Sequence, residues 1–168
     1  MGIKEYEKGL EVPLRKATLV LFLKDGEVLL AMKKRGFGSG KWNGVGGKSN
    51  GGEEVVNAAI RESQEEIGVT PMNLKPVAIF NYHFPLRNGW GLQVFVFTTK
   101  EWRGKPIESE EMRPRWFKIE DVPYKYMWID DEIWMPKTFA GLLLKGSFMF
   151  GENEAIDDYY LDEVDSLA

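Results

Sequence analysis

Gly47 to Val69, GKSNGGEEVVNAAIRESQEEIGV, constrains this chain more than any other stretch. A glycine-rich turn runs into a helical pattern that ends at Gly68, and Glu62, Glu65 and Glu66 form the densest acid cluster on any helical pattern here. On a helix, residues three and four places beyond Glu62 share its face, so the three carboxylates fall on one side. Val56, Ala59, Ile60 and Ile67 fall on the other and give the helix an apolar side to bury. Carboxylates at this spacing repel, at roughly a few tenths of a kcal/mol per pair in an isolated helix. A cation between them removes that cost. Oxygen ligands suit Mg²⁺ or Mn²⁺, whereas zinc ordinarily recruits Cys or His. The chain has no Cys and a single His, His83. A solvated helix surface would account for three clustered glutamates equally well, and the flanking residues decide between the two.

The 168 residues are enough for one domain with a real core, expected over 16–164 behind a partly ordered N-terminal extension, 1–15. An apolar fraction of 43% and a charged fraction of 29% are ordinary for a globular chain. The first ten residues lack the apolar stretch of a signal peptide, and the runs TLVLFL and AGLLL are too short to span a bilayer. A cytoplasmic location is therefore expected, with a nuclear or mitochondrial pool left open, and no membrane partner. The net charge of −4, without a basic face, argues against binding long nucleic acid. A polyphosphate would also be repelled by the helix acids unless divalent cations screened it. The polar composition, with no large exposed apolar stretch, points to a monomer.

Along the chain, Lys16 to Lys24 reads as a strand, Asp25-Gly26 as a hairpin turn and Glu27 to Lys33 as its partner. Their unbroken apolar runs suggest a sheet covered on both faces. A basic, glycine-rich loop, Lys33 to Lys41, suits either phosphate contact or an ordinary wet turn. Asn43 precedes glycines that permit close backbone approach, and Arg61 is read as structural, pairing an acid of the glycine loop. Leu74 to Phe84, Leu92 to Thr99 and Arg113 to Ile119 resume strand character, with Glu101 to Glu111 a polar connection. His83, Tyr82 and Phe84 read as wall residues. In MWIDDEIWM, Trp128 and Trp134 suit a core, while Asp130 and Asp131 between two indoles also suit a purine's polar edge and π-face. A helix is expected over roughly Pro136 to Leu144, then a strand at SFMF and a closing segment within Ala155 to Val164.

The pattern G-x5-E-x7-R-E-U-x-E-E-x-G-U, with U bulky and apolar, is that of the Nudix box. This chain supplies Gly47, Glu53, Arg61, Glu62, Glu65, Glu66, Gly68 and Val69, and departs only at Ser63, a packing position where the side chain can bond the carbonyl four residues back. The chain thus resembles the Nudix hydrolases, an α/β class in which a mixed sheet lies between helices as an α/β/α sandwich. Outside the box, MKKRGFGSGKWNGVGGK, SEEMRPRWF and MWIDDEIWMP resemble the mammalian-type oxidised-purine nucleoside triphosphatases of that family, over essentially residues 16 to 164.

That resemblance implies Mg²⁺-dependent hydrolysis of oxidised purine nucleoside triphosphates, such as 8-oxo-dGTP and 2-hydroxy-dATP, to the monophosphate and pyrophosphate. It implies divalent ions held by Glu62, Glu65, Glu66 and the Gly47 carbonyl, with Glu111 reaching the same cluster. Glu62 is the first candidate for the base-like role, and Lys33 would offset phosphate charge. Asn43, Asp130 and Asp131 would read the base and Trp128 would stack on it, with Thr18, Lys33, Phe37, Tyr82, Phe84, Trp90 and Trp134 around the nucleotide. Trp90 replaces a smaller, flexible side chain of the family, Tyr82 a plain phenyl ring, and Asn81 to Gly91 is one residue longer. These departures bear on base preference. Rival readings are a Nudix hydrolase of another nucleotide (O6-methyl-dGTP, a nucleotide sugar or, less well, an RNA cap) and a non-catalytic nucleotide-binding module.

Overall fold

The apolar runs expected as strands form the middle of a single large sheet. The computed structural model describes residues 1–168. In chain order it contains α1 (Ile3–Lys8), β1 (Arg15–Lys24), β2 (Glu27–Lys33), β3 (Trp42–Asn43), α2 (Val55–Ile67), β4 (Thr70–Met72), β5 (Lys75–His83), β6 (Leu92–Thr99), β7 (Glu101–Arg103), β8 (Met112–Lys118), α3 (Asp131–Phe139), β9 (Leu143–Phe150) and β10 (Ile156–Val164). Seven strands run β10-β9-β5-β6-β1-β2-β3, and β8 adds to β2 as the eighth. The β1–β6 and β5–β9 pairs are parallel and the others antiparallel, so the sheet is mixed.

Both faces are covered, as the unbroken apolar runs demand. Val20, Phe22, Leu29 and Ala31 pack with Ala59 and Ile67 of α2 on one face. Leu21, Val28 and Leu30, next to them in sequence, pack with Trp134 and Met135 of α3 on the other. Alternating side chains of one strand thus feed two cores, and the result is the expected α/β/α sandwich. Each Leu, Ile or Phe buried this way contributes roughly 1.5–3 kcal/mol of transfer free energy.

β1 is forked in its pairing, and the fork makes room for a site. Its end, Phe22 to Lys24, pairs with β2, but its earlier half pairs with the glycine loop through bridges Ala17–Lys48 and Val20–Val45. Thr18 N–H donates to Gly47 O at 2.8 Å and Val45 N–H to Val20 O at 3.1 Å. β2 meanwhile turns to β3 and β8. A cleft opens where the two strands part.

Several expectations need correction. The ordered part of the N-terminal stretch, expected to be partly ordered, is α1, whose Ile3 is buried and donates its N–H to Asp158 Oδ2 at 2.8 Å. Glu7 of α1 reaches the sheet, accepting from Ser147 Oγ and Tyr160 Oη at 2.8 Å each and meeting His83 Nε2 at 2.7 Å. No apolar periodicity marks this, because one glutamate does the anchoring. The third helix begins at Asp131, not Pro136, and the residues after Leu142 belong to β9. A proline in the helix's second turn had masked its start. The Glu101 to Glu111 connection contains β7, which pairs with β4 in a separate ribbon. On α2 the buried side is Ala58, Ala59, Ser63 and Ile67, while Val56 is exposed. The buried Ser63 hydroxyl donates to the Ala59 carbonyl at 2.8 Å, which satisfies the one polar group that departs from the box.

Burial opposes the charge of Glu7, yet the bonds from His83, Ser147 and Tyr160 outweigh it and hold its pKa below the usual 4.5. A carboxylate so depressed stabilises the fold above pH 4.5, and the contribution is lost as pH falls toward its folded value. Glu7→Ala is expected to cost about 1–3 kcal/mol at neutral pH, by stranding buried partners, and less at a pH below 4.5. Urea unfolding at the two pH values checks this.

Candidate active site

The site begins with how the glycine loop is pinned to α2. All five N–H donors of Arg61 are used. Nε and Nη2 grip both oxygens of Glu53 at 2.9 and 3.0 Å, Nη2 also reaches the Lys48 carbonyl at 3.1 Å, and Nη1 reaches Glu62 at 2.9 Å and Glu65 at 3.2 Å. Such a forked, charge-assisted set is specific to Arg. It holds Glu53 down to a pKa of about 2, through the Arg61 bonds first and the Asn50 N–H second. The loop comes so close that a Cβ on Gly46 would collide with the Thr18 carbonyl, and one on Gly47 would stand 2.5 Å from Glu62 Cδ. These are close-approach glycines.

Above this frame lies a cleft of about 410 Å³. Thr18, Lys33, Phe37, Asn43, Tyr82, Phe84, Trp128, Asp130 and Asp131 all line it, and so do Gly47, Glu66 and Glu111. A larger, shallower hollow of about 910 Å³ lies outside the glycine loop, lined by mixed charges from Arg15 to Val56. It holds none of the acids or aromatics just named except the structural Glu53, so the smaller, better-walled cleft is the candidate.

At the cleft's acid end, Glu66 is mostly buried and accepts a 3.3 Å bond from Gly46 N–H. Burial first, then the Glu62 and Glu111 charges, push its pKa to about 8, with Lys33 acting in the opposite direction. Glu111 is more exposed and bonds Arg35 at 3.2 Å. The three helix glutamates do not meet at one point in this arrangement, in which no three acids form an ion-holding group. Glu62 lies behind Gly47, and Glu65 is exposed, both drawn toward Arg61. The Gly47 carbonyl accepts from the Thr18 N–H at 2.8 Å and from its hydroxyl at 3.3 Å. Mutual repulsion and a single guanidinium give the physical reason.

The other end is aromatic and acidic. Asp130 and Asp131 are 1% and 3% exposed. Asp130 Oδ2 accepts from Tyr82 Oη at 2.7 Å and from Trp134 Nε1 at 3.0 Å, while Asp131 Oδ2 has no partner. Burial pushes both carboxyls up, and Asp131 well up, since it also faces the Asp130 charge. Trp134 is fully buried beneath Asp130 and does not line the cleft. Trp128 does, against Phe37 at 5.1 Å between ring centroids and under the Lys41 ammonium. Trp90 is at the rim, 4.6 Å from the Phe37 ring and with the Arg87 guanidinium stacked on it. Asn43 Oδ1 accepts from Gly44 N–H, so its amide N–H₂ is left for the cleft.

Sequence reasoning missed Leu92, Val94 and Phe150 in the cleft wall and the reach of Arg61 to Glu62 and Glu65. The alternation of β6 could have revealed Leu92 and Val94, but nothing local points to Phe150, which arrives from β9.

A carboxyl with a raised folded pKa loses stabilising power as pH climbs from its unfolded value to its folded one. With Glu66 this window is pH 4.5 to about 8. Glu66→Gln is therefore expected to be neutral at pH 4.5 and to stabilise the chelator-treated protein by a few kcal/mol at pH 8. Thermal unfolding in a chelator at both pH values measures the difference.

Residues 13–138 match the NUDIX domain family. The chain is 43% identical over 150 residues to the oxidized purine nucleoside triphosphate hydrolase of Danio rerio, covering 89% of this chain and 96% of that protein. Its identity to the Mus musculus protein of the same name is 41%, with the same coverage. Among solved structures it is similar to the mutator MutT protein of Bacillus halodurans, at TM-score 0.76 and 29% identity, covering 89% of this chain and 98% of that one. With the box carried on the loop and helix of a mixed-sheet sandwich, the chain belongs to the Nudix family.

Proposed function

We propose that the protein hydrolyses oxidised purine nucleoside triphosphates to the monophosphate and pyrophosphate, clearing damaged bases from the nucleotide pool. The observation that carries this reading is one cleft with two unlike ends, a buried acid pair among aromatic rings and a glutamate cluster beside Lys33. The first suits a purine, stacked on Trp128 and bonded along its edge by Asn43, Asp130 and Asp131. The second suits a triphosphate. The relatives named above support the substrate class.

Nudix hydrolases generally use divalent metal ions, and the acid end fits one. Its donors are all oxygens, and a buried Glu66 whose pKa stands near 8 gains from giving its proton up to a cation. Glu62, Glu65, Glu66 and Glu111 would hold Mg²⁺, or Mn²⁺, once Glu62 and Glu65 turn from Arg61. The bound ion would polarise phosphate oxygens and acidify water. In the step proposed, a water oxygen bonds to the β-phosphorus and the bond from that phosphorus to the α–β bridging oxygen breaks. The water proton passes to a carboxylate, for which Glu62 is the first candidate. Lys33 offsets charge on the phosphates, and the walls of Tyr82, Phe84 and Trp128 exclude bulk water from the base.

A nucleotide panel with Mg²⁺ tests this: 8-oxo-dGTP, 2-hydroxy-dATP, O6-methyl-dGTP, dGTP and a nucleotide sugar, scored for pyrophosphate against orthophosphate. The expected result is preference for the oxidised purines with pyrophosphate release. Glu62→Gln is expected to lower kcat by about 10²–10⁴-fold with the fold intact. Unchanged turnover would reject the acid end as the reaction centre, and nucleotide binding without turnover by the parent protein would mark a binding module.

A further inference from the structure

On β5, Tyr82 and Phe84 face the cleft while His83 between them faces Glu7 on the other side. Phe84 meets its surroundings through the ring alone. Tyr82 carries a hydroxyl into the place where two buried carboxyls meet, and the nucleotide reading has given that hydroxyl no task.

Its geometry gives it one. Tyr82 Oη and Trp134 Nε1 both donate to a single oxygen, Oδ2 of Asp130, at 2.7 and 3.0 Å. Asp131 is equally buried, yet its Oδ2 receives nothing. An ionised carboxylate only accepts hydrogen bonds, and each donor aimed at it favours that form. Two adjacent carboxylates sealed from water repel, so the pair keeps one proton. The partner that receives both short bonds gives the proton up, and the partner whose buried Oδ2 is left unpaired retains it. We propose that Tyr82 is a specificity-setting residue: its phenol fixes Asp130 as the hydrogen-bond acceptor and leaves Asp131 as the donor.

This deepens the nucleotide reading and rests on it. A purine with a carbonyl at C6 presents an acceptor beside the N1–H donor, which matches a neutral acid beside a carboxylate. A purine with an amino group at C6 and no oxygen at C2, such as adenine or 8-oxoadenine, presents a donor beside an unprotonated N1, the reverse order. To meet that edge, the proton must move onto Asp130, weakening the two bonds it accepts, or the base must reverse while its triphosphate stays at the acid end. Tyr82 thus biases the site toward 6-oxopurine nucleotides over 6-aminopurine ones. The direction of both pKa shifts agrees, with Asp131 the more strongly raised.

Tyr82→Phe keeps the ring and removes the donor. The measurement is kcat/KM for 8-oxo-dGTP over that for 8-oxo-dATP, which differ only along the pairing edge. That ratio is expected to favour 8-oxo-dGTP in the parent protein and to fall about tenfold in Tyr82→Phe, the worth of one charge-assisted bond. A general loosening of the fold would lower both values and leave the ratio alone, so a ratio within twofold of the parent's overturns the proposal. The proton's place has its own readout. The protonated-carboxyl stretch in the infrared spectrum of the buried pair is expected to vanish in Asp131→Asn, and its persistence there would place the proton on Asp130 and also overturn the proposal. Should the parent show no preference for oxidised bases, the nucleotide-pool reading fails by itself, and the edge ratio is then taken with dGTP and dATP.

Discussion

The grip of Arg61 on the glycine loop underlies everything else in this molecule. A loop with so many glycines gains much conformational freedom when unfolded, and ordering it is costly. One guanidinium with all five donors engaged ties Glu53, Glu62, Glu65 and the Lys48 carbonyl into a single arrangement. That arrangement lets the loop lie along the first half of β1 as a surrogate strand. The fork between β1 and β2, and so the cleft, depends on it. The same guanidinium neutralises acids that would otherwise drive one another apart, and its replacement by Lys would keep the charge but lose the fork.

The two ends of the cleft solve opposite electrostatic problems by similar means. At each end, carboxyls sit close together and away from water, which raises their pKa values. Glu66 is pushed up to about 8, by burial first and then by the Glu62 and Glu111 charges. Burial raises Asp130, and burial together with the Asp130 charge raises Asp131 well above the usual range. Burial supplies the pressure in both cases, while the neighbouring donors decide which carboxyl carries the proton. Lys33 and Gly46 act on Glu66, and Tyr82 and Trp134 act on Asp130.

Much of this could be read from residues alone, and the limits have physical causes. The β1–β2 hairpin was legible because Asp25-Gly26 is local turn chemistry, and α2 because Gly68 closes it with φ +71°. Arg61 was legible as a loop anchor because opposite charges at fixed spacing have few other uses. The start of α3 was not, since Pro136 in its second turn hid the pattern. The anchoring of α1 was equally hidden, because Glu7 meets Ser147 and Tyr160 across 140 and 153 residues. Which glutamates face the cleft also eluded the periodicity. Helical spacing placed Glu62, Glu65 and Glu66 together but could not foresee that Arg61 would turn two of them aside.

The order of elements along the chain has a consequence for biosynthesis. Every residue of the acid end lies between Thr18 and Glu111, whereas the opposite end waits for Asp130, Asp131 and Phe150. β9 stands between β5 and β10, and α1 is fastened to both of these last two strands. While the ribosome still holds the final fifth of the polypeptide, the nascent amino terminus has His83 to meet but lacks Ser147, Asp158 and Tyr160. The two halves of the cleft are therefore completed at different moments of translation, and the aromatic, acidic half comes last.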